Sequence, residues 1–87
     1  MPNEPDVPAG PLSLRIYPQD DAMVVECTGR VISGGTDELR REVKALFPHT
    51  KRVILDLTNV TQLDSMGLGA IVSLYASAKA AGCELKL

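Results

Sequence analysis

Arg52-Val53-Ile54-Leu55-Asp56-Leu57-Thr58-Asn59-Val60-Thr61-Gln62-Leu63-Asp64-Ser65-Met66-Gly67-Leu68-Gly69 is the stretch whose reading decides the fold. Val53 to Leu57 is a short apolar run, the pattern of a central strand covered on both faces. Gln62-Leu63-Asp64-Ser65 then leads into the most regular helix of the chain. Leu68, Ile71, Val72, Tyr75 and Ala78 form its apolar stripe, while Ser73, Ser77 and Lys79 lie elsewhere. Gly82 is placed to end this helix as its C′ residue, with Lys79 in the last turn. Cys83-Glu84-Leu85-Lys86-Leu87 begins a further strand. A strand, a helix and another strand in succession require a crossover, so these two strands run parallel.

The same logic extends towards the N-terminus. Thr36-Asp37-Glu38 opens a helix, with Thr36 as N-cap and two acids in the first turn. Leu39, Val43, Leu46 and Phe47 recur at helical spacing, Arg40, Arg41, Glu42 and Lys44 face water, and Pro48 stops the helix. Before it, Gly34-Gly35 marks a turn. Ala22 to Thr28 reads as a strand that Gly29 closes or bends. Leu12, Leu14 and Ile16 alternate with polar neighbours as a half-buried strand ended by Pro18, and Gln19-Asp20-Asp21 turns it into a hairpin with the next. The expected order is strand, strand, helix, strand, helix, strand. Strands two to four are mutually parallel, strand one lies antiparallel at an edge, and both helices share one face of a small mixed sheet. The other face then needs separate cover.

Composition sets the limits on function. The chain has 87 residues, enough for one small α/β domain that buries roughly 60–65% of its unfolded surface. An apolar fraction of 45% with a net charge of −2 excludes a disordered chain and leaves no basic footprint for nucleic acid. Cys27 and Cys83 fit neither a zinc spacing nor a redox pair and read as core fillers; with His49 the lone histidine, no metal site is expected. No run approaches the eighteen or so apolar residues of a membrane helix, so no stable membrane insertion is expected. Residues 1–11, with Pro2, Pro5, Pro8 and Pro11 and without a basic or apolar leader segment, read as a flexible lead ahead of a domain spanning 12–87. A cytoplasmic location follows by default.

Chemistry has one natural place, the junction from Asp56 to Gly69, because ligands of open α/β sheets gather at the carboxyl ends of strands. A helix N-terminus there offers free N–H groups and about +0.5 charge of dipole. Ser65 is either the N-cap or a hydroxyl that accepts phosphate; alternatively Asp64 is the cap and Ser65 the first helical residue. Gly67 and Gly69 permit close approach of another backbone, which favours a contact surface. Gly67-x-Gly69 lacks the third glycine of a dinucleotide fingerprint, and no Walker A pattern exists. Ser65 has no nucleophile-elbow glycines, and His49 falls on the opposite side of the strand. Asp56 and Asp64 form a drawable carboxylate pair, but Asp56 reads as bonding loop amides. Arg40, Arg41, Lys44, Lys51 and Arg52 read as a solvated face.

From Asp56 through Asp64-Ser65-Met66-Gly67-Leu68-Gly69, on through Ser73 to Gly82 and Glu84 to Leu87, and back through Thr28-Gly29-Arg30-Val31, the sequence resembles the STAS domain of bacterial anti-sigma-factor antagonists. The likeness covers nearly everything from Leu12 onward. It implies a compact, cofactor-free and non-catalytic regulatory domain that works by partner switching. Ser65 is then similar to the serine that a cognate anti-sigma serine kinase phosphorylates and a phosphatase restores, the unphosphorylated form binding the kinase and freeing the sigma factor. Asp64, Met66, Gly67 and Gly69 match the partner surface at the helix start. Asn59 and Thr61 match the loop before it, and Arg30 and Ser33 the loop after strand two. Two departures stand out. Ile32 occupies the place of an acidic residue in the family's Gly-x-Leu-Asp pattern, and the family continues past Leu87 with a helix-bearing segment. The second departure gives the expectation of a C-terminal truncation that opens apolar surface on the last strand and helix 65–81, and so of either self-association, as in a homodimer, or lowered stability. Two other functions use the same features: a scaffold in a stress-signalling or membrane transport complex, and a small nucleotide-binding domain or enzyme, for which Arg30 is the one nearby cation.

Overall fold

The computed structural model describes residues 12–87; the N-terminal lead lies outside them. Strands β1 (Ser13–Gln19), β2 (Ala22–Val31), β3 (Arg52–Leu63) and β4 (Glu84–Lys86) form one sheet in the order β1-β2-β3-β4. β1 and β2 pair antiparallel, and β2, β3 and β4 pair parallel, as the sequence implies. Helices α1 (Thr36–Lys44) and α2 (Ser65–Ala80) are the two crossovers, and a short 3-10 turn at Phe47–His49 leads into β3. The hairpin turns at Asp20-Asp21, where Asp20 takes a left-handed φ of 56° that Asp tolerates better than most residues. Pro18 sits within β1 without breaking it, because an edge strand has no ladder bond to lose on its outer side.

The core lies between the sheet and the helices. Val25 and Cys27 of β2, Val53 and Leu55 of β3 and Leu85 of β4 meet Leu39 and Val43 of α1, Phe47, and Ile71, Leu74 and Ala78 of α2. Cys27 and Cys83 are both buried free thiols within this cluster, the core-filling role expected of them. On the opposite face, Tyr17, Val24 and Ile54 form one row across three strands. Flanking that row, Arg15 pairs with Glu26 at 2.8 Å and lies 4.5 Å from the Tyr17 ring, while Arg52 pairs with Glu84 at 2.9 Å and Asp21 at 3.4 Å. Long arginine stems lie along this face while their charges stay in water. The basic residues do not converge on one patch, since Arg40 is held by Asp37 at 2.7 Å and Arg52 by β4 and the hairpin turn.

Besides the strand end expected at Pro18, three local expectations need correction. Thr36 is the first residue of α1 and is buried, with Gly35 in the cap position. Of the two outcomes expected at Gly29 the structure shows the bend, with φ of 104° and register shifts on either side, and β2 continues to Val31. Its extra length pairs with the second half of β3, so Thr58 to Leu63 are strand rather than loop. The buried face of α2 is Gly67, Ala70, Ile71, Leu74 and Ala78, whereas Leu68, Val72 and Tyr75 of the expected stripe point outward. Gly67 lets the start of the helix approach β2 closely, and Ile71 and Leu74 fill the core behind it. At its other end Gly82 serves as C′ with φ of 74°, its amide bonding Lys79 O and that of Cys83 bonding Ala78 O, the close expected of it.

Candidate functional site

The carboxyl ends of β2 and β3 deliver two segments to one place, the turn Ile32–Gly35 and the start of α2. Asp64 joins them. It is the N-cap of α2, with an extended backbone, and its Oδ1 accepts from the Gly67 amide at 2.8 Å. Oδ2 accepts from the Ser33 amide at 3.1 Å, tying the β2–α1 turn to the helix. The Gly67 amide first, and then that of Ser33, holds the Asp64 carboxyl below the usual carboxylate range, so the cap is an anion at neutral pH. With the cap position taken, Ser65 is the first helical residue; it is exposed, and its hydroxyl has no hydrogen-bond partner among the described residues.

Gly67 lets the first turn of the helix sit close against β2. A Cβ on it would overlap the Val31 carbonyl oxygen and lie 2.8 Å from Leu63 Cδ1 and 2.9 Å from Val31 C. The close approach that this glycine permits is therefore to the chain's own β2, not to a partner. Gly69 is different: a Cβ there meets nothing within 4 Å. Around Ser65 the surface is apolar, with Leu63 44%, Met66 54% and Leu68 54% exposed. Sequence patterning did not single out Leu63; its exposure follows from its place at the end of β3, past the packed part of the sheet.

The expected site residues fall into two groups. Ser33, Asp64, Ser65, Met66 and Gly69 share the rim at the start of α2, and Arg30 is at the end of β2 beside it. Asn59 and Thr61 lie on the distal half of β3, both exposed, with the Thr61 hydroxyl donating to Gly29 O at 3.1 Å across the bulge. They belong to the same end of the sheet but on a strand, not on the loop expected. Gly67 is buried beneath the rim. The carboxylate pair is not assembled. Asp56 accepts from the Thr58 amide at 2.9 Å, Thr58 holding its carboxyl low, and it stands roughly 25 Å along β3 from Asp64 at 3.3 Å per residue. His49 precedes β3, a full 12-residue strand away from Ser65. Among the described residues no group of three or more His, Cys, Asp or Glu stands ready for a metal, and no helix is long and apolar enough to cross a membrane.

The sequence profile of the STAS domain family matches residues 13–87. The chain belongs to the STAS domain family. Its fold is shared with an anti-sigma factor antagonist from Mycobacterium paratuberculosis, at 21% identity and a TM-score of 0.70 over 75% of this chain and 56% of that one. The anti-sigma factor antagonist SpoIIAA of Bacillus, solved in unphosphorylated and phosphorylated forms, superposes at a TM-score of 0.70 and 13% identity in both, over 86% of this chain and 68% and 70% of those. A protein named Mglu contains a similar unit, at a TM-score of 0.75 and 19% identity over 83% of this chain. This STAS chain spans 18% of Mglu and 56% of the mycobacterial antagonist.

Proposed function

We propose that this STAS domain is a non-catalytic partner-switching module, an anti-sigma-factor antagonist regulated by phosphorylation of Ser65. The observation that carries the reading is the division of labour at the start of α2. Asp64 satisfies the helix, and that leaves the Ser65 hydroxyl exposed, and unbonded among the described residues, within an apolar rim of Leu63, Met66 and Leu68. A serine used as a cap has its oxygen committed to the helix amides; a serine at the first helical position does not.

In this reading a serine kinase docks on the rim with the neutral hydroxyl at its centre, and the sigma factor is freed while the complex lasts. Transfer of a phosphoryl group adds about −1.5 to −2 charge. The helix dipole favours that charge, but the Asp64 carboxylate beside it is already ionised, so the modified site carries a local excess of negative charge. A partner packed on the apolar rim cannot solvate it, and an unpaired buried anion outweighs several ordinary hydrogen bonds. The complex therefore dissociates, and a serine phosphatase restores the binding form. Ser33, Arg30, Asn59 and Thr61 extend the docking face along the strand ends. The module works in the cytoplasm, where kinase, phosphatase and sigma factor meet.

The test is phosphorylation by the cognate kinase with ATP, followed by mapping of the modified residue. One phosphate on Ser65, absent from Ser65→Ala, is expected; phosphate elsewhere with Ser65 unmodified overturns the assignment.

A further inference from the structure

We propose that Asp64 is the positioning residue of the Ser65 switch. It denies Ser65 the cap of α2, which keeps the hydroxyl free for the kinase, and it fixes the β2–α1 turn beside that hydroxyl. One side chain thus assembles the docking face from two segments. This rests on the reading of Ser65 as the phosphorylated residue. Serine and aspartate are about equally good caps. As neighbours in the chain, Asp64 and Ser65 compete for one position. Asp64 holds it with an extended backbone, its carbonyl accepting from the Leu68 amide at 2.9 Å and its Oδ1 from the Gly67 amide at 2.8 Å. Its Oδ2 also accepts from the Ser33 amide at 3.1 Å, a bond for which a capping serine has no second oxygen.

The helix cannot answer the loss of this cap by sliding. Any side chain at Gly67 would overlap the Val31 carbonyl, so α2 keeps its register on β2, and only Ser65 and Met66 ahead of that contact are free to unwind. Without Asp64 the next residue able to cap is Ser65 itself. Its backbone would turn extended and its Oγ would accept from the Leu68 amide, three residues on. The group to be phosphorylated would then be committed to the helix. The same loss releases Ser33. The turn keeps its own shape through the Gly35 amide, which donates to Ile32 O at 3.0 Å, but the bond that ties it to α2 is gone.

Two substitutions separate these parts. Asp64→Asn keeps an oxygen for the Gly67 amide and turns an NH2 group towards Ser33, donor against donor; Asp64→Ala keeps neither bond. In kinetics with the cognate kinase and ATP, Asp64→Asn is expected to raise KM about tenfold, the scale of one hydrogen bond to a charged group, with kcat within about twofold of the parent. Asp64→Ala is expected to lower kcat as well, by about fivefold, the preference of a cap position for serine over alanine. Carbon chemical shifts of Ser65, measured without any kinase, should be helical in the parent and in Asp64→Asn, and those of an extended cap residue in Asp64→Ala. Circular dichroism checks that each variant folds, and Asp64→Asn, which keeps the cap, carries the docking half of the test by itself. Helical Ser65 shifts in Asp64→Ala, equal kinetic losses in the two variants, or no loss in either overturn the proposal. Phosphate on another residue of the parent refutes the reading of Ser65 alone, and the Ser65 shifts still decide whether Asp64 withholds the cap from it.

Discussion

Gly67→Ala and Gly69→Ala, two residues apart on one helix, are expected to move stability in opposite directions. At Gly67 the added methyl overlaps the Val31 carbonyl oxygen and presses on Leu63 Cδ1 at 2.8 Å. The obstacle is backbone and cannot rotate away, so α2 must lift from β2 by on the order of 1 Å. Overpacking of this kind costs up to about 3 kcal/mol. Alanine in place of glycine returns about 1 kcal/mol of helix propensity, which leaves a net loss of roughly 2 kcal/mol. Lifting the helix also draws the Gly67 amide from Asp64, so the tie to Ser33 loosens with it. For a domain of this size the expected drop in melting temperature is roughly 8–16 °C. At Gly69 nothing lies within 4 Å of the new methyl, so only the propensity term acts and the variant is more stable than the parent by up to about 1 kcal/mol. Urea titration of the three proteins, with melts alongside, reads both changes. A Gly67→Ala protein as stable as the parent would refute the reasoning, since the helix would then have room that the geometry denies it.

Two further outcomes follow from the titrating groups. Asp64 has a folded pKa below its unfolded value, so its contribution to stability is present above about pH 4 and is lost as pH falls through the folded pKa. Asp64→Asn should flatten that acid limb and speed amide exchange at Gly67 and Ser33, measured by urea titration against pH and by hydrogen exchange; an unchanged acid limb would count against the bridge. Burial pushes the Cys27 thiol up to about 12, with Asp56 and Glu26 adding to the shift, so native protein at pH 8 should react with a disulfide reagent only as fast as it unfolds. Rapid labelling of Cys27 in the native state would contradict its place in the core.

Much of the fold is local and therefore legible. The hairpin, the Gly34-Gly35 turn and the Gly82 terminus each need one particular backbone shape, and a short list of residues provides it. Parallel order follows from helices interposed between strands. The distal half of β3 was not legible, because Thr58, Asn59, Thr61 and Gln62 look like loop residues on their own. They become strand because β2, bent at Gly29, runs on beside them, and that pairing joins residues about thirty apart. The face of α2 was misread for a different reason. The helix is apolar nearly all round, so periodicity alone does not choose its inner face: Gly67, Ala70, Ile71, Leu74 and Ala78 pack inward, and Leu68, Val72 and Tyr75 are left outside. At the site, the motif pointed to Ser65 correctly as a residue of the helix start. Both Asp64 and Ser65 suit a cap by residue type, so spacing left the choice open; the structure gives it to Asp64, whose second oxygen also holds the Ser33 amide from a segment that spacing along the chain does not reveal.

The central claim is that Ser65 is a switch whose charge decides partner binding. Titration calorimetry of the cognate kinase with this domain, unphosphorylated and then stoichiometrically phosphorylated on Ser65, tests it most directly. The account predicts tight one-to-one binding for the first and a loss of at least about 100-fold in affinity for the second, the scale set by an unpaired buried anion. Equal affinity of the two forms, or tighter binding of the phosphorylated one, would contradict it.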